Sequence, residues 1–144
     1  MLTNIDHVTI AVTDLPAARA FFERLGLEVT KAVVISGPDM DAYMAVPGIK
    51  ADHVTMVIPG QAVHQEIQLL HYHHPDVDVD PRIGNLARDG FNHICFRVSD
   101  LEATLATMTA AGVTARNAPM TFHDRKLVFL DGPDHVVVEL AEWI

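Results

Sequence analysis

The sequence predicts an α+β fold in which two copies of one βαβββ module follow each other. Three observations carry this. A segment near the start recurs 86 residues downstream, and each copy runs from alternating apolar positions into a helical apolar stripe. A polar stretch containing prolines and glycines separates the copies. Internal repeats of this kind dictate architecture more strongly than local propensity does.

Set residues 5–15 above residues 91–101 and the offset brings His7 onto His93 and Asp14-Leu15 onto Asp100-Leu101. The same offset matches Ala17 with Ala103 and Gly26 with Gly112, while Gln68-Leu69 matches Glu139-Leu140 at a shorter spacing. In each copy the period-two opening reads as a strand. Asp14 then stands at an N-cap, Leu15, Ala18, Phe22 and Leu25 form one face, and Gly26 ends the helix. In the second copy Ser99 and Glu102 are spaced as a capping box. Leu101, Leu105, Met108 and Ala111 supply the stripe, and Gly112 the stop. Further strands are expected at about 28–35, 52–58 and 64–72, then at 113–118, 126–131 and 135–142, with a short extra helix within 38–48. Turn chemistry marks Pro59-Gly60-Gln61 and Asp131-Gly132-Pro133-Asp134. Residues 1–144 are read as a single domain, with module 1 at about 1–74, a linker at about 75–90 and module 2 at about 91–144. Neither copy can bury its sheet alone, so the halves should pack or pair about a pseudo-twofold axis.

Composition narrows the function. A chain of 144 residues, 49% hydrophobic and 20% charged, is expected to be globular. A net charge of −9 with ten scattered basic residues argues against a nucleic-acid partner. One cysteine rules out an internal disulfide framework. There is no apolar run near the roughly 20 residues that span a bilayer, and no signal-peptide pattern, so a cytoplasmic home is expected.

Strand parity selects the candidate site. Val8, Ile10 and Val12 take the helix-covered face, so His7 looks the other way beside small Thr9 and Ala11; Ile94, Phe96 and Val98 do the same, turning His93, Cys95 and Arg97 away. Gln68 and Glu139 hold matching positions in the last strand of each copy. Glu66 shares the face of Gln68, and a register slip of two would exchange them. Two imidazoles, a carboxylate and an amide oxygen suit nickel, cobalt, manganese, zinc or iron, and lack the thiolates of structural zinc. His71, His73 and His74, running into Pro75, read as solvated, as do His53, His64, His123 and His135. Arg97 either meets an anionic substrate group or stands exposed on the sheet. Cys95 reads as a small packing residue.

These motifs resemble the vicinal oxygen chelate superfamily, which includes glyoxalase I, methylmalonyl-CoA epimerase, extradiol dioxygenases and bleomycin and fosfomycin resistance proteins. The resemblance rests on Ile5-Asp6-His7-Val8, Ile67-Gln68-Leu69-Leu70, Asn92-His93-Ile94, Val98-Ser99-Asp100-Leu101 and Val138-Glu139-Leu140, and covers nearly the whole chain. It implies a glyoxalase-like cupped mixed sheet, a homodimer, and one divalent ion per chain held by His7, Gln68, His93 and Glu139, the set seen in methylmalonyl-CoA epimerases. It also implies a small substrate with two chelating oxygens and proton transfer next to a carbonyl through a metal-chelated enediolate, with Glu139 as base. That describes a lyase or isomerase. An iron(II) dioxygenase using His7, His93 and Glu139 is the alternative, and a drug-sequestering protein the third. Family epimerases carry a second carboxylate base on the third strand; residues 53–59 hold no Asp or Glu, leaving His53 as the substitute.

Overall fold

The computed structural model describes residues 1–144, in two compact units, Met1–Val79 and Asp80–Ile144. In the first unit β1 (His7–Ala11) leads through α1 (Leu15–Arg24) to β2 (Glu28–Ser36). A short α2 (Pro38–Met44) then precedes β3 (Lys50–Val57) and β4 (Glu66–His74). In the second, a 3₁₀ turn (Pro81–Gly84) comes before β5 (Ile94–Arg97), α3 (Leu101–Ala110), β6 (Met120–Phe122), β7 (Arg125–Asp131) and β8 (Val137–Trp143). Each unit builds its own four-stranded sheet, ordered β1-β4-β3-β2 and β5-β8-β7-β6. The outer pair of each, β1 with β4 and β5 with β8, is parallel and the other pairings are antiparallel. The α+β class and the βαβββ modules expected from the repeat are therefore present.

The helices begin and end alike because the repeat preserves their signals. Asp14 accepts a hydrogen bond from the Ala17 amide at 2.9 Å, and Asp100 one from Ala103 at 2.8 Å. At the far ends Gly26 and Gly112 adopt φ of 94° and 85°, a region costly for any side chain. The amides of Leu27 and Val113 reach back to the carbonyls of Phe22 and Met108, closing the same Schellman turn twice. The Ser99–Glu102 capping box does not form. Asp100 is the cap, Glu142 accepts from the Leu101 amide at 2.8 Å, and Glu102 turns outward to Lys126 at 2.9 Å.

The cores lie between helix and sheet. Ile10, Val12, Ala18, Phe22, Val54, Met56, Ile67 and Leu69 are buried in the first unit; Leu101, Met108, Val128, Leu130, Val138 and Leu140 in the second. Burying a Leu- or Phe-sized side chain contributes about 1.5–3 kcal/mol. The strand expected at 113–118 is absent. There the Asn117 side-chain oxygen accepts the Phe129 amide at 2.8 Å, Ala115 makes only an isolated bridge to Leu130, and Pro119 has no amide to offer a ladder. Strand β6 is displaced to residues 120–122 and shortened to three residues. No helix is long and apolar enough to cross a membrane.

Candidate functional site

Both units bring their ligand-type side chains to the sheet face away from the helix. In the first, parallel register sets His7 beside Glu66 and Thr9 beside Gln68. In the second it sets Cys95 beside Glu139, and His93 stands just before β5. Thr9 and Cys95 each lie two residues after a histidine, so Gln68 is the topological equivalent of Glu139, and Glu66 is not.

Hydrogen bonds fix the chemistry of each group. Asn92 Nδ2 donates to the Leu86 carbonyl at 2.7 Å, which turns its Oδ1 toward His93 Nδ1 at 2.8 Å. A carbonyl oxygen can only accept, so Nδ1 carries a proton and turns Nε2 toward Glu139 Oε2, 3.2 Å away. At that separation either a proton or a metal ion lies between the ring nitrogen and the carboxylate oxygen. His7 is oriented in the same manner: Nδ1 donates to Asp6 Oδ1 at 2.6 Å, leaving Nε2 without that partner. Asp6 and Asn92 occupy one repeat position. Their orienting role was visible in the sequence alignment only as two polar residues, each preceding a histidine.

The Gln68 amide is more fully engaged. Its Nε2 donates to Glu66 Oε2 at 2.7 Å, and its Oε1 accepts from Thr9 Oγ1 and His53 Nε2, both at 3.1 Å. The Gln68 hydrogen bond, followed by that of His64 at 2.7 Å, holds the Glu66 carboxyl below its ordinary range. His53 and His64, expected to be solvated, are thus parts of this network.

Glu139 is walled by Phe129, its register partner on β7, whose ring meets the His93 ring edge-on at 5.1 Å. Burial, then the hydrogen bond and charge of Glu139, push the Cys95 thiol up to about 12, so it is no activated nucleophile. Further along the same face the Arg97 and Arg125 guanidinium groups lie 5.3 and 4.4 Å from the Trp143 ring centre. Arg97 therefore joins a cationic cluster instead of standing alone.

The chain matches the Glyoxalase/Bleomycin resistance protein/Dioxygenase superfamily over residues 4–140. It belongs to this superfamily. An ethylmalonyl-CoA/methylmalonyl-CoA epimerase of Cereibacter sphaeroides is 30% identical, the match covering 99% of each chain. The mitochondrial methylmalonyl-CoA epimerase of Homo sapiens is 25% identical over 98% of this chain and 74% of its own. Among solved superfamily structures, a glyoxalase family protein from Bacillus cereus superposes with a TM-score of 0.91 at 23% identity, covering all of this chain and 96% of that one.

Proposed function

We propose that the chain is a metal-dependent isomerase or lyase that moves a proton next to a carbonyl. In this reading the two units are halves of one catalytic domain, and His7, Gln68, His93 and Glu139 hold one divalent ion. The observation that carries it is the twice-built arrangement of an oriented imidazole and an oxygen donor one strand away. His93 and Glu139 suit a cation best, because Nε2 and Oε2 converge at 3.2 Å, about the edge expected between two ligands of one ion. Gln68 fits once Thr9 or His53 yields its bond to Oε1.

Bound there, a divalent ion would grip two substrate oxygens and offset the charge that develops as a carbon-bound proton leaves. Glu139 takes that proton on Oε1, the oxygen not turned to His93, its carboxylate shielded by Phe129. Inverting the carbon requires a second proton carrier on its other face. The β3 face that pairs with Gln68 carries half-buried His53, buried Thr55 and half-buried Val57, so His53 is the group that fills the role. Arg97 and Arg125 give an anionic portion of the substrate somewhere to dock. The names of the relatives suggest a 2-alkylmalonyl thioester, which offers a carbonyl, an acidic C–H and a carboxylate. The chain acts as a homodimer in this reading; light scattering that shows only monomer at working concentration rejects that part.

A second reading draws on the Gln68 amide oxygen, whose two lone pairs are already occupied. With Gln68 a bystander, His7, His93 and Glu139 are an iron(II) dioxygenase triad. Gln68→Ala separates the two, since weakened metal binding supports four ligands and unchanged iron binding supports three. The deciding experiment combines elemental analysis with deuterium incorporation into methylmalonyl-CoA in heavy water. Nickel, cobalt, manganese or zinc content that falls by about one ion per chain in His93→Ala, together with exchange at the α-carbon, supports the isomerase. Iron with no exchange favours the dioxygenase. No metal after reconstitution leaves a protein that binds and sequesters its ligand.

A further inference from the structure

The first unit carries another cluster of ligand-type side chains, on the opposite face of its sheet from His7 and Gln68. Asp52 on β3 stands directly across from His71 on β4, and His73, at a bulge in the β3–β4 register, reaches the same carboxylate. Asp52 Oδ2 lies 3.0 Å from His73 Nε2 and 3.5 Å from His71 Nδ1, and the three donor atoms all fall within 4.8 Å of one another. Ligands about 2.1 Å from a tetrahedral or octahedral ion sit about 3.0–3.4 Å apart, close to both separations from Asp52.

Hydrogen bonding alone does not account for the cluster. His71 Nδ1 is sealed from solvent and has no hydrogen-bond partner, since 3.5 Å is too long for a good bond to Asp52. A buried ring nitrogen without a partner is costly and rare. The two rings are 5.4 Å apart and nearly perpendicular at 81°, so stacking does not hold them either. The His73 hydrogen bond keeps the Asp52 carboxyl below its ordinary range against the opposing effect of burial, favouring the charged form that a ligand needs. Asp52 also lines a groove of about 650 Å³ between α1 and β2, with Leu15, Pro16 and Val34. Arg19 and Glu23 on that groove pair with each other at 2.6 Å, so Arg19 is committed elsewhere.

We infer that Asp52, His71 and His73 form a second divalent-metal site, a two-histidine, one-carboxylate set that takes a zinc, cobalt or nickel ion. Three protein ligands leave coordination positions open. The ion would clip β3 to β4 beside the groove and is independent of the site on the other face. His71 and His73 were read from sequence as solvated because adjacent histidines at a strand end usually are. Their i, i+2 spacing is that of one strand face, but only the β3–β4 register supplies Asp52.

The test is cobalt(II) titration of the untagged, metal-stripped full chain, followed by visible absorption and by metal content after dialysis. The background is a His93→Ala, Glu139→Ala double variant, which removes the site proposed above. The double variant is expected to keep one cobalt per chain, with paramagnetic broadening centred on the amides of residues 51–53 and 70–74. Adding Asp52→Asn or His73→Gln to it is expected to abolish binding, with circular dichroism unchanged. No cobalt in the double variant at millimolar concentration overturns the inference, as does binding undiminished by both added substitutions. If single His93→Ala leaves cobalt stoichiometry intact while Asp52→Asn lowers it, the catalytic reading fails and this one stands.

Discussion

In the first unit the His7 side chain is 42% exposed, faces Glu66 across the sheet, and finds the Gln68 amide one row further on; in the second, His93 and Glu139 are 31% and 12% exposed and meet at 3.2 Å. One scaffold therefore supports an open pair ending in a neutral amide and a closed pair ending in a carboxylate. The difference divides the work. An amide can hold an ion but cannot accept a proton from carbon, whereas a shielded carboxylate can do both.

The largest expected effect comes from erasing that difference. Glu139→Gln gives both halves an amide and should slow deuterium exchange about 10²–10⁴-fold while the fold is kept. Mass spectrometry of the substrate reads this directly, and a wild-type rate would remove Glu139 as the base. Next come the residues that anchor both helices by the same turn. Phe22→Ala should cost about 3–5 kcal/mol and Met108→Ala about 2–5 kcal/mol in urea unfolding, since each side chain is fully buried. A cost under about 1 kcal/mol at either position would show that the site collapses around the loss.

The repeat made most of this legible before any coordinates. It predicts both sheets, the helix stops at Gly26 and Gly112, and the matching strand positions of Gln68 and Glu139, because period and offset are properties of sequence. It also matched Asp14 with Asp100, yet the Ser99–Glu102 spacing suggested a different cap. A local motif competed with the repeat there, and the repeat was the better guide. Strand 113–118 failed for the reverse reason: Asn117 replaces ladder bonds with a side-chain bond, and residue pattern does not reveal such a substitution. His53 and Asp52 belong to networks that depend on cross-strand register, which a single strand cannot disclose.

Two smaller experiments sharpen the comparison of the halves. Asn92→Ala should weaken metal binding about 10–100-fold by releasing the His93 ring, and Asp6→Ala should do less, because Asp6 is itself 77% exposed. Competition against a chelating dye would measure both, and equal losses would mean that the halves hold their imidazoles equally well. The smallest effect is expected at the caps. Asp14→Ala and Asp100→Ala should each lower stability by about 1 kcal/mol, alike in size, since the two bonds differ by only 0.1 Å. A clear inequality in denaturation midpoints would show that the second helix draws its start from Glu142 as well.

The parallel pairing of β1 with β4 also carries a cost in chain entropy. Thr9 and Gln68 touch across 59 residues of chain, whereas the β3–β4 pair closes over a short turn. Long loops are closed late, because their entropy must be lost before any contact forms. In each unit the strand beside the histidine therefore meets the strand bearing Gln68 or Glu139 only across most of that unit's chain. The hydrogen bonds that orient both imidazoles involve protein groups alone, so the fold should stand without an ion. Treatment with a chelator should then silence proton exchange while the circular dichroism spectrum stays as it was.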